Sequence, residues 1–134
     1  MVAGSRLDGT GPHSAIRTVK DLKVYRLAFE LADEVFHVTR KFPPEETYSL
    51  VDQIRRSSRS VASNIREGFA KRRYEQVFVR HLNDALGSSE ETRTWLDFGR
   101  SSGYLASEEH AQLEHRYDEL SAMLYTLMER WQAW

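Results

Sequence analysis

The sequence predicts an all-α protein with the architecture of an antiparallel, up-down four-helix bundle. From residue 19 onward, apolar residues recur at spacings of three and four, which is the helical period. Runs of β-branched residues are missing, and the only prolines in this part are Pro43 and Pro44. The connections between the periodic segments are short, which favours antiparallel neighbours.

The chain of 134 residues has the length of one domain. Residues 1–18 contain glycine and proline and no apolar periodicity, and we expect them to form a disordered leader. Residues 19–134 are then the four-helix domain.

The first helix is predicted over residues 20–41, where "FPPEE" ends it. It carries two adjacent apolar stripes, which together make a face broader than a surface helix needs. That face either lies deep in the bundle or forms a subunit interface. The first stripe is Val24, Ala28, Leu31, Val35 and Val38, and the second is Leu22, Tyr25, Phe29, Ala32 and Phe36.

The second helix is predicted over residues 47–69, with Thr47 as its N-cap and Gly68 near its end. Its inward residues are Leu50, Ile54, Val61, Ile65 and Phe69. Small residues between them, from Ser57 to Ser63, allow a neighbouring helix to come close.

The third helix is predicted over residues 74–101, where Gly87 suggests a close helix crossing. "SSGY" is the following turn, with Gly103 as the helix breaker. The fourth helix begins at Ser107 as N-cap. Its heptad seam is the clearest periodic signal in the chain and comprises Leu113, Tyr117, Leu120, Leu124, Leu127 and Trp131.

Three tryptophans are available as large anchors. Trp131 belongs to the heptad seam and is predicted to lie in the core. Trp95 and Trp134 are candidates for interface contacts, where amphipathic rings are enriched.

Composition excludes several classes of function. Without cysteine there is no disulfide, thiolate metal site or thiol nucleophile. No apolar run approaches the roughly 20 residues that cross a bilayer, and no signal peptide is recognisable, so we expect a cytoplasmic protein. The five histidines show no metal-binding motif, and His81 near Asp84 is the best isolated acid–base candidate. We therefore expect no enzyme, no metal and no cofactor.

Charge is distributed unevenly, although the formal net charge is only −1. Residues 55–80 hold eight basic and two acidic side chains, whereas residues 84–119 hold three basic and nine acidic ones. At 100° per residue, Arg55, Arg59 and Arg66 share one side of the second helix over roughly 16 Å, and we call these three the basic strip. Arg56 stands farther round, and Lys71, Arg72 and Arg73 could extend the strip.

These seven residues are candidates for binding RNA or DNA, because guanidinium groups present paired donors to phosphate. Few aromatic residues lie near them in sequence, so the binding would address the backbone with little sequence preference. The alternative is structural: the strip lies at a helix or subunit boundary and pairs with acids such as Glu90 and Glu91.

A family resemblance points to the same architecture. The stretches "KFPPEETYSLVDQIRRSSRSVASNIREGF", "HLNDALGSSEE" and "GYLASEE" together resemble the small four-helix bundle proteins encoded in intervening sequences of bacterial large-subunit ribosomal RNA genes. The resemblance covers about residues 21–128. This chain departs from it at Ala62, where the family usually has proline, and at Arg66, where the family has a small residue.

The resemblance implies a compact up-down bundle that associates with itself as a ring-like homopentamer. A similar bundle occurs in the accessory proteins of diversity-generating retroelements, which bind nucleic acid. The resemblance supplies no catalytic residue. It therefore implies a non-enzymatic oligomer that either binds nucleic acid or acts as a scaffold for protein contacts.

Overall fold

A computed structural model describes residues 16–132, except for the side chain of Gln132. Within this range the chain is all-α, as predicted, and contains four α-helices and no strand. They are α1 (Lys23–Thr39), α2 (Leu50–Ala70), α3 (Glu75–Ser101) and α4 (Ser107–Gln132). Most of the predicted leader, and Trp134, lie outside the described residues. Of residues 16–18, which fall within the predicted leader, Ile16 is buried.

Helix α1 starts later than residue 20, because a 3₁₀ turn at Val19–Asp21 precedes it. The carboxylate of Asp21 accepts hydrogen bonds from the backbone N–H groups of Arg17 (2.8 Å) and Thr18 (2.9 Å). The bond from Thr18, followed by that from Arg17, lowers the pKa of Asp21. A short polar side chain thus bonds the backbone just before the 3₁₀ turn, ahead of the helix itself.

Helix α2 starts at Leu50, so the prediction of Thr47 as its N-cap is wrong. The two prolines lead into a 3₁₀ turn at Pro44–Glu46 instead. Glu46 accepts the backbone N–H of Leu50 at 3.3 Å and the hydroxyl of Tyr104 at 2.9 Å. The carboxylate of Glu46 therefore takes the capping role that was expected of Thr47.

The heptad seam of α4 is confirmed as the centre of the core. All six residues of the seam are buried, and Tyr117, Leu120 and Leu124 are fully enclosed. The ring of Trp131 stands edge-on to Phe78, with ring centroids 4.5 Å apart. Both stripes of α1 contribute to the core, but unequally: Leu22 and Tyr25 are buried, whereas Phe29 is 53% exposed.

Helices α2 and α3 pack most closely. A Cβ atom on Gly68 would come within 2.6 Å of His81 Cβ, so glycine is required there by the approach of α3. Small polar residues bridge the two helices, as in the hydrogen bond of 2.8 Å from Thr92 to Ser57. The predicted close crossing at Gly87 is wrong, because that position is not enclosed and a Cβ there would meet nothing within 4 Å.

Helix α3 also packs against α4, and α1 packs against α2. The contact between α1 and α4 is the least extensive of the four. This arrangement is consistent with a four-helix bundle. Ion pairs close the α1–α4 seam: Arg116 pairs with Glu30 and Glu34, and Lys41 pairs with Glu109. After α3, Gly103 adopts a positive φ of 83°, which confirms it as the residue that turns the chain towards α4.

Candidate nucleic-acid interface

The basic strip of α2 lies beside α1, and Arg55 is its most enclosed member. The Nε–H of Arg55 donates to Thr39 Oγ1 at 2.9 Å, and one terminal nitrogen donates to the carbonyl oxygen of Phe36 at 3.4 Å. The guanidinium carbon stands 4.5 Å from the centroid of the Phe36 ring. Arg55 is therefore held by α1 through hydrogen bonds and a cation–π contact.

Two further arginines approach the same ring. The guanidinium carbons of Arg40, just after α1, and Arg59, one turn along α2, each lie 5.8 Å from the Phe36 centroid. We call Arg40, Arg55 and Arg59 the arginine cluster. Its members come from two segments of the chain and are gathered around one half-buried aromatic side chain.

The arginine cluster carries uncompensated positive charge. Within residues 16–132, none of its three guanidinium groups forms a salt bridge; the nearby Asp52 pairs with Arg56 at 3.8 Å. The pKa of Arg55 is lowered, first by burial and then by the like charges of Arg59 and Arg40. Such a site can attract an anion without first breaking an internal ion pair.

Arg66 occupies a different environment two turns farther along α2. Its guanidinium donates to the hydroxyl of Tyr25 at 3.3 Å. It borders a surface cavity of about 490 Å³ that it shares with Tyr25, Phe29, Lys20, Arg26, Glu30 and Asp33. Because both acids and bases line this cavity, the Arg66 end of the strip is less positive than the arginine cluster.

The remaining three candidates lie at the carboxyl end of α2. Arg72 donates to the carbonyl oxygen of Phe69 at 2.9 Å, and its guanidinium carbon lies 3.9 Å from the Phe69 ring centroid. Arg73 lies over Tyr74 at 5.6 Å, and Lys71 is exposed. These cations follow the last turn of α2, where positive charge complements the helix dipole.

Glu90 and Glu91, the expected partners of the strip, have other partners among the described residues. Arg93 bonds Glu90 at 3.1 Å, Glu114 at 2.9 Å and Asp118 at 3.2 Å. Glu91 accepts the indole N–H of Trp95 at 3.1 Å. These acids of α3 and α4 are thus engaged within their own half of the molecule.

Sequence reasoning missed the contribution of α1 to this face. Phe36, Thr39 and Arg40 hold or extend the cluster, yet they are 15 or more positions away from Arg55. The second apolar stripe of α1 is the feature of the sequence that could have indicated this contribution. It ends at Phe36, and not all of its aromatic side chains are buried in the core. Aromatic residues are scarce near the strip on α2 itself, as expected. In the folded protein, however, α1 adds the ring of Phe36 to the same surface.

Two of the histidines each contact one polar side chain. His110 Nε2 lies 2.8 Å from Asp97 Oδ1, and His81 Nδ1 lies 3.4 Å from Asn64 Oδ1, so the folded chain gives His81 a contact on α2. The described part of the chain holds no group of three or more histidine or acidic side chains suited to a metal ion. Nor does any helix of residues 16–132 have the length and apolarity needed to span a membrane.

Comparisons with known proteins agree with the resemblance seen in the sequence. The chain matches a solved structure described as a protein with unknown function from the S23 ribosomal protein family of Bacteroides thetaiotaomicron. That match has a TM-score of 0.72 and 24% identity and covers 79% of this chain and 98% of the other, which supports a shared fold. None of the curated proteins matches. The model of the 23S rRNA-intervening sequence protein family matches residues 20–126, and the chain therefore belongs to that family.

Proposed function

We propose that this protein is a non-enzymatic, self-associating helical module that binds the sugar–phosphate backbone of RNA or DNA through its α1–α2 face. The observation that carries the proposal is the arginine cluster, with three guanidinium groups and no salt bridge among the described residues. Phosphate is the anion that such donors recognise best in a polymer.

The division of charge between the two halves of the molecule supports this function. On α3 and α4 the acids outnumber the bases, and Arg93 is already paired with Glu90, Glu114 and Asp118. On the α1–α2 face, Arg40, Arg55, Arg59 and Arg66 have no carboxylate partner among the described residues. A polyanion therefore gains most from this face and is repelled least there.

Recognition should depend little on sequence. The face offers guanidinium groups along roughly 16 Å of α2, a length that meets a few successive phosphates. The ring of Phe36, around which the arginine cluster gathers, is already engaged by Arg55. The contacts available to a bound strand are therefore mainly electrostatic, and electrostatic binding weakens steeply with salt.

The test is a salt titration of binding to a short single-stranded RNA and to duplex DNA. We expect measurable affinity at about 50 mM salt and a negative linear slope of log K against log salt. A double variant, Arg59→Gln with Arg66→Gln, should reduce affinity by about tenfold or more. The matched control removes the same charge elsewhere, through Arg80→Gln with Arg130→Gln, and should have little effect. Undetectable binding at low salt contradicts the proposal.

Self-association is the second candidate function. Without nucleic-acid binding, it would make the protein a scaffold for protein contacts. Large aromatic side chains are exposed on different helices: Phe29 is 53% exposed on α1, Phe98 54% on α3 and Tyr125 59% on α4. Exposed apolar groups of this kind favour protein contacts. A ring requires two different faces on each subunit, which is consistent with this distribution over three helices.

We propose a homopentameric ring of antiparallel, up-down bundles, as the family resemblance implies. The ion pairs support antiparallel directions of α1 and α4, because Glu30 and Glu34 within α1 pair with Arg116, whereas Lys41, just after α1, pairs with Glu109 nearer the start of α4. Light scattering of the purified chain should give five times the chain mass of 15.6 kDa. A monomer at micromolar concentration contradicts the ring, and binding without assembly separates the two functions.

A further inference from the structure

We infer that the arginine cluster is a discrete binding site for backbone phosphate, assembled from both α1 and α2 and held together by Phe36. This inference rests on the proposed function and deepens it, because it says which cations make the site. Arg40 belongs to the site although it lies outside α2, whereas Arg56 does not belong to it although it is adjacent to Arg55 in sequence.

The first argument is geometric. Each of the three guanidinium carbons lies within 5.8 Å of the Phe36 centroid, so no two of them can be more than about 12 Å apart. The ring attracts the three cations through its π face and supplies no negative charge that would neutralise them. The cluster therefore gathers positive charge and leaves donors of Arg40 and Arg59 available.

The second argument concerns preorganisation. Arg55 is held from α1 by Thr39 Oγ1 at 2.9 Å and by the carbonyl oxygen of Phe36 at 3.4 Å. Thr39 is itself fixed, because its hydroxyl donates to the carbonyl oxygen of Val35 at 2.7 Å. An arginine already held in place loses less conformational entropy when an anion arrives. Arg55 thus forms the preorganised part of the site, and the more exposed Arg40 and Arg59 complete the contacts with the phosphate.

The third argument is the cost of the cluster without a ligand. Burial and like charges both disfavour the charged form of Arg55, as the direction of its pKa shift indicates. Its two charged neighbours in the cluster add repulsion that no described carboxylate offsets. A bound phosphate would relieve that repulsion. Arg56 differs, because its side chain is 76% exposed and pairs with Asp52.

The experiment measures binding of a fluorescein-labelled 12-nucleotide oligouridine by anisotropy at about 50 mM salt. Arg40→Gln and Arg59→Gln should each weaken binding by about tenfold. Each should also reduce the magnitude of the salt slope by about 0.7, the value for one phosphate contact on a single strand. The matched control, Arg56→Gln, should stay within about twofold of the unmodified protein.

A charge-conserving variant tests the role of Phe36. Phe36→Leu keeps all three arginines and an apolar side chain but removes the cation–π contacts. We expect affinity to fall by about threefold, because the guanidinium groups are no longer held together. Thermal unfolding followed by circular dichroism verifies that each variant is folded; if Phe36→Leu is unfolded, the arginine variants decide the matter.

Three results have distinct meanings. If the unmodified protein does not bind the oligonucleotide, the proposed function itself fails. If it binds and Arg56→Gln weakens binding as much as Arg40→Gln does, the charge acts diffusely and the discrete site is wrong. If Arg40→Gln and Arg59→Gln dissociate the assembly in the absence of RNA, the cluster serves a contact between copies of the chain, which also overturns the inference.

Discussion

Two half-buried arginines, Arg55 on the α1–α2 face and Arg93 on α3, occupy opposite electrostatic environments. Arg93 donates to Glu90, Glu114 and Asp118, and its pKa is raised, first by the hydrogen bond to Glu114 and then by the charges of Glu114 and Glu90. Arg55 contacts a hydroxyl, a carbonyl oxygen and an aromatic ring, and its pKa is lowered. The same side chain is satisfied in one region and lacks a counter-ion in the other.

This difference shows why a count of charges cannot identify a binding face. The part of the chain around Arg93 is the more acidic one, and the acids beside Arg93 neutralise its guanidinium group. The part around Arg55 is basic, and its guanidinium groups have gathered around a ring that does not neutralise them. The partner of each charge, rather than its number, determines which face is available to a ligand.

The largest expected effect comes from the α2–α3 packing that fixes the orientation of α2, and with it the basic strip. Gly68→Ala would place a Cβ atom 2.6 Å from His81 Cβ and 3.0 Å from Phe78 Cδ1. We expect a loss of about 1–3 kcal/mol in the free energy of unfolding, measured by urea denaturation. Gly87→Ala is the control and should stabilise by up to about 1 kcal/mol, because it replaces a helical glycine with open space around it. Equal effects of the two changes would contradict this packing.

The second prediction concerns a variant in which Arg55 gains an acidic neighbour, such as Arg93 already has. Arg40→Glu reverses one charge of the arginine cluster. We expect RNA affinity to fall by more than tenfold, while the free energy of unfolding stays equal or rises by less than about 1 kcal/mol. Anisotropy and urea denaturation measure the two quantities. A parallel loss of affinity and stability would mean that Arg40 has a structural role instead.

The third prediction concerns Arg93 itself. Arg93→Gln removes its bonds to three acids and leaves their like charges close together, so we expect a loss of about 1 kcal/mol in stability. Because the acids are partly exposed, the loss should shrink in about 1 M salt. Arg59→Gln, which breaks no ion pair among the described residues, should change stability by less than about 0.5 kcal/mol. The reverse order of the two losses would contradict the comparison.

The smallest effect is a pH dependence at Glu109, the partner of Lys41. Lys41 pairs with Glu109, and this hydrogen bond, followed by that from the backbone N–H of Ala106, lowers the pKa of Glu109. The stabilisation is therefore present above the ordinary glutamate pKa of about 4.3 and is lost as the pH falls through the lowered value. Glu109→Gln should flatten this acid limb in urea unfolding between about pH 6 and pH 3. An unchanged limb would show that the pair contributes nothing.

Much of the fold could be predicted from the sequence because helical periodicity is a local property. The seam of α4 from Leu113 to Trp131 keeps heptad spacing, and every member is buried. The helix starts were less predictable, since Asp21 and Glu46 direct the chain through 3₁₀ turns that no apolar pattern marks. Gly68 and Gly87 show the same limit: composition could not tell which of them faces a neighbouring helix.

The candidate site was predictable only on α2. The spacing of Arg55 and Arg59 places them on one side of a helix, and the folded chain brings both to the ring of Phe36. The contribution of Arg40 depends on which side of α1 faces α2, and this is decided by packing over the whole core. Sequence spacing within one helix carries no information about that register.

The most direct test of the unneutralised α1–α2 face is an NMR titration that follows the arginine side-chain Nε–H groups while a short RNA is added. Nε of Arg55 donates to Thr39, and Nε of Arg93 donates to Glu114 at 3.1 Å, so both protons are held in defined positions. We predict that the Arg55 signal shifts in proportion to the RNA bound, while the Arg93 signal stays unchanged. A shift at Arg93 with none at Arg55 would contradict the account.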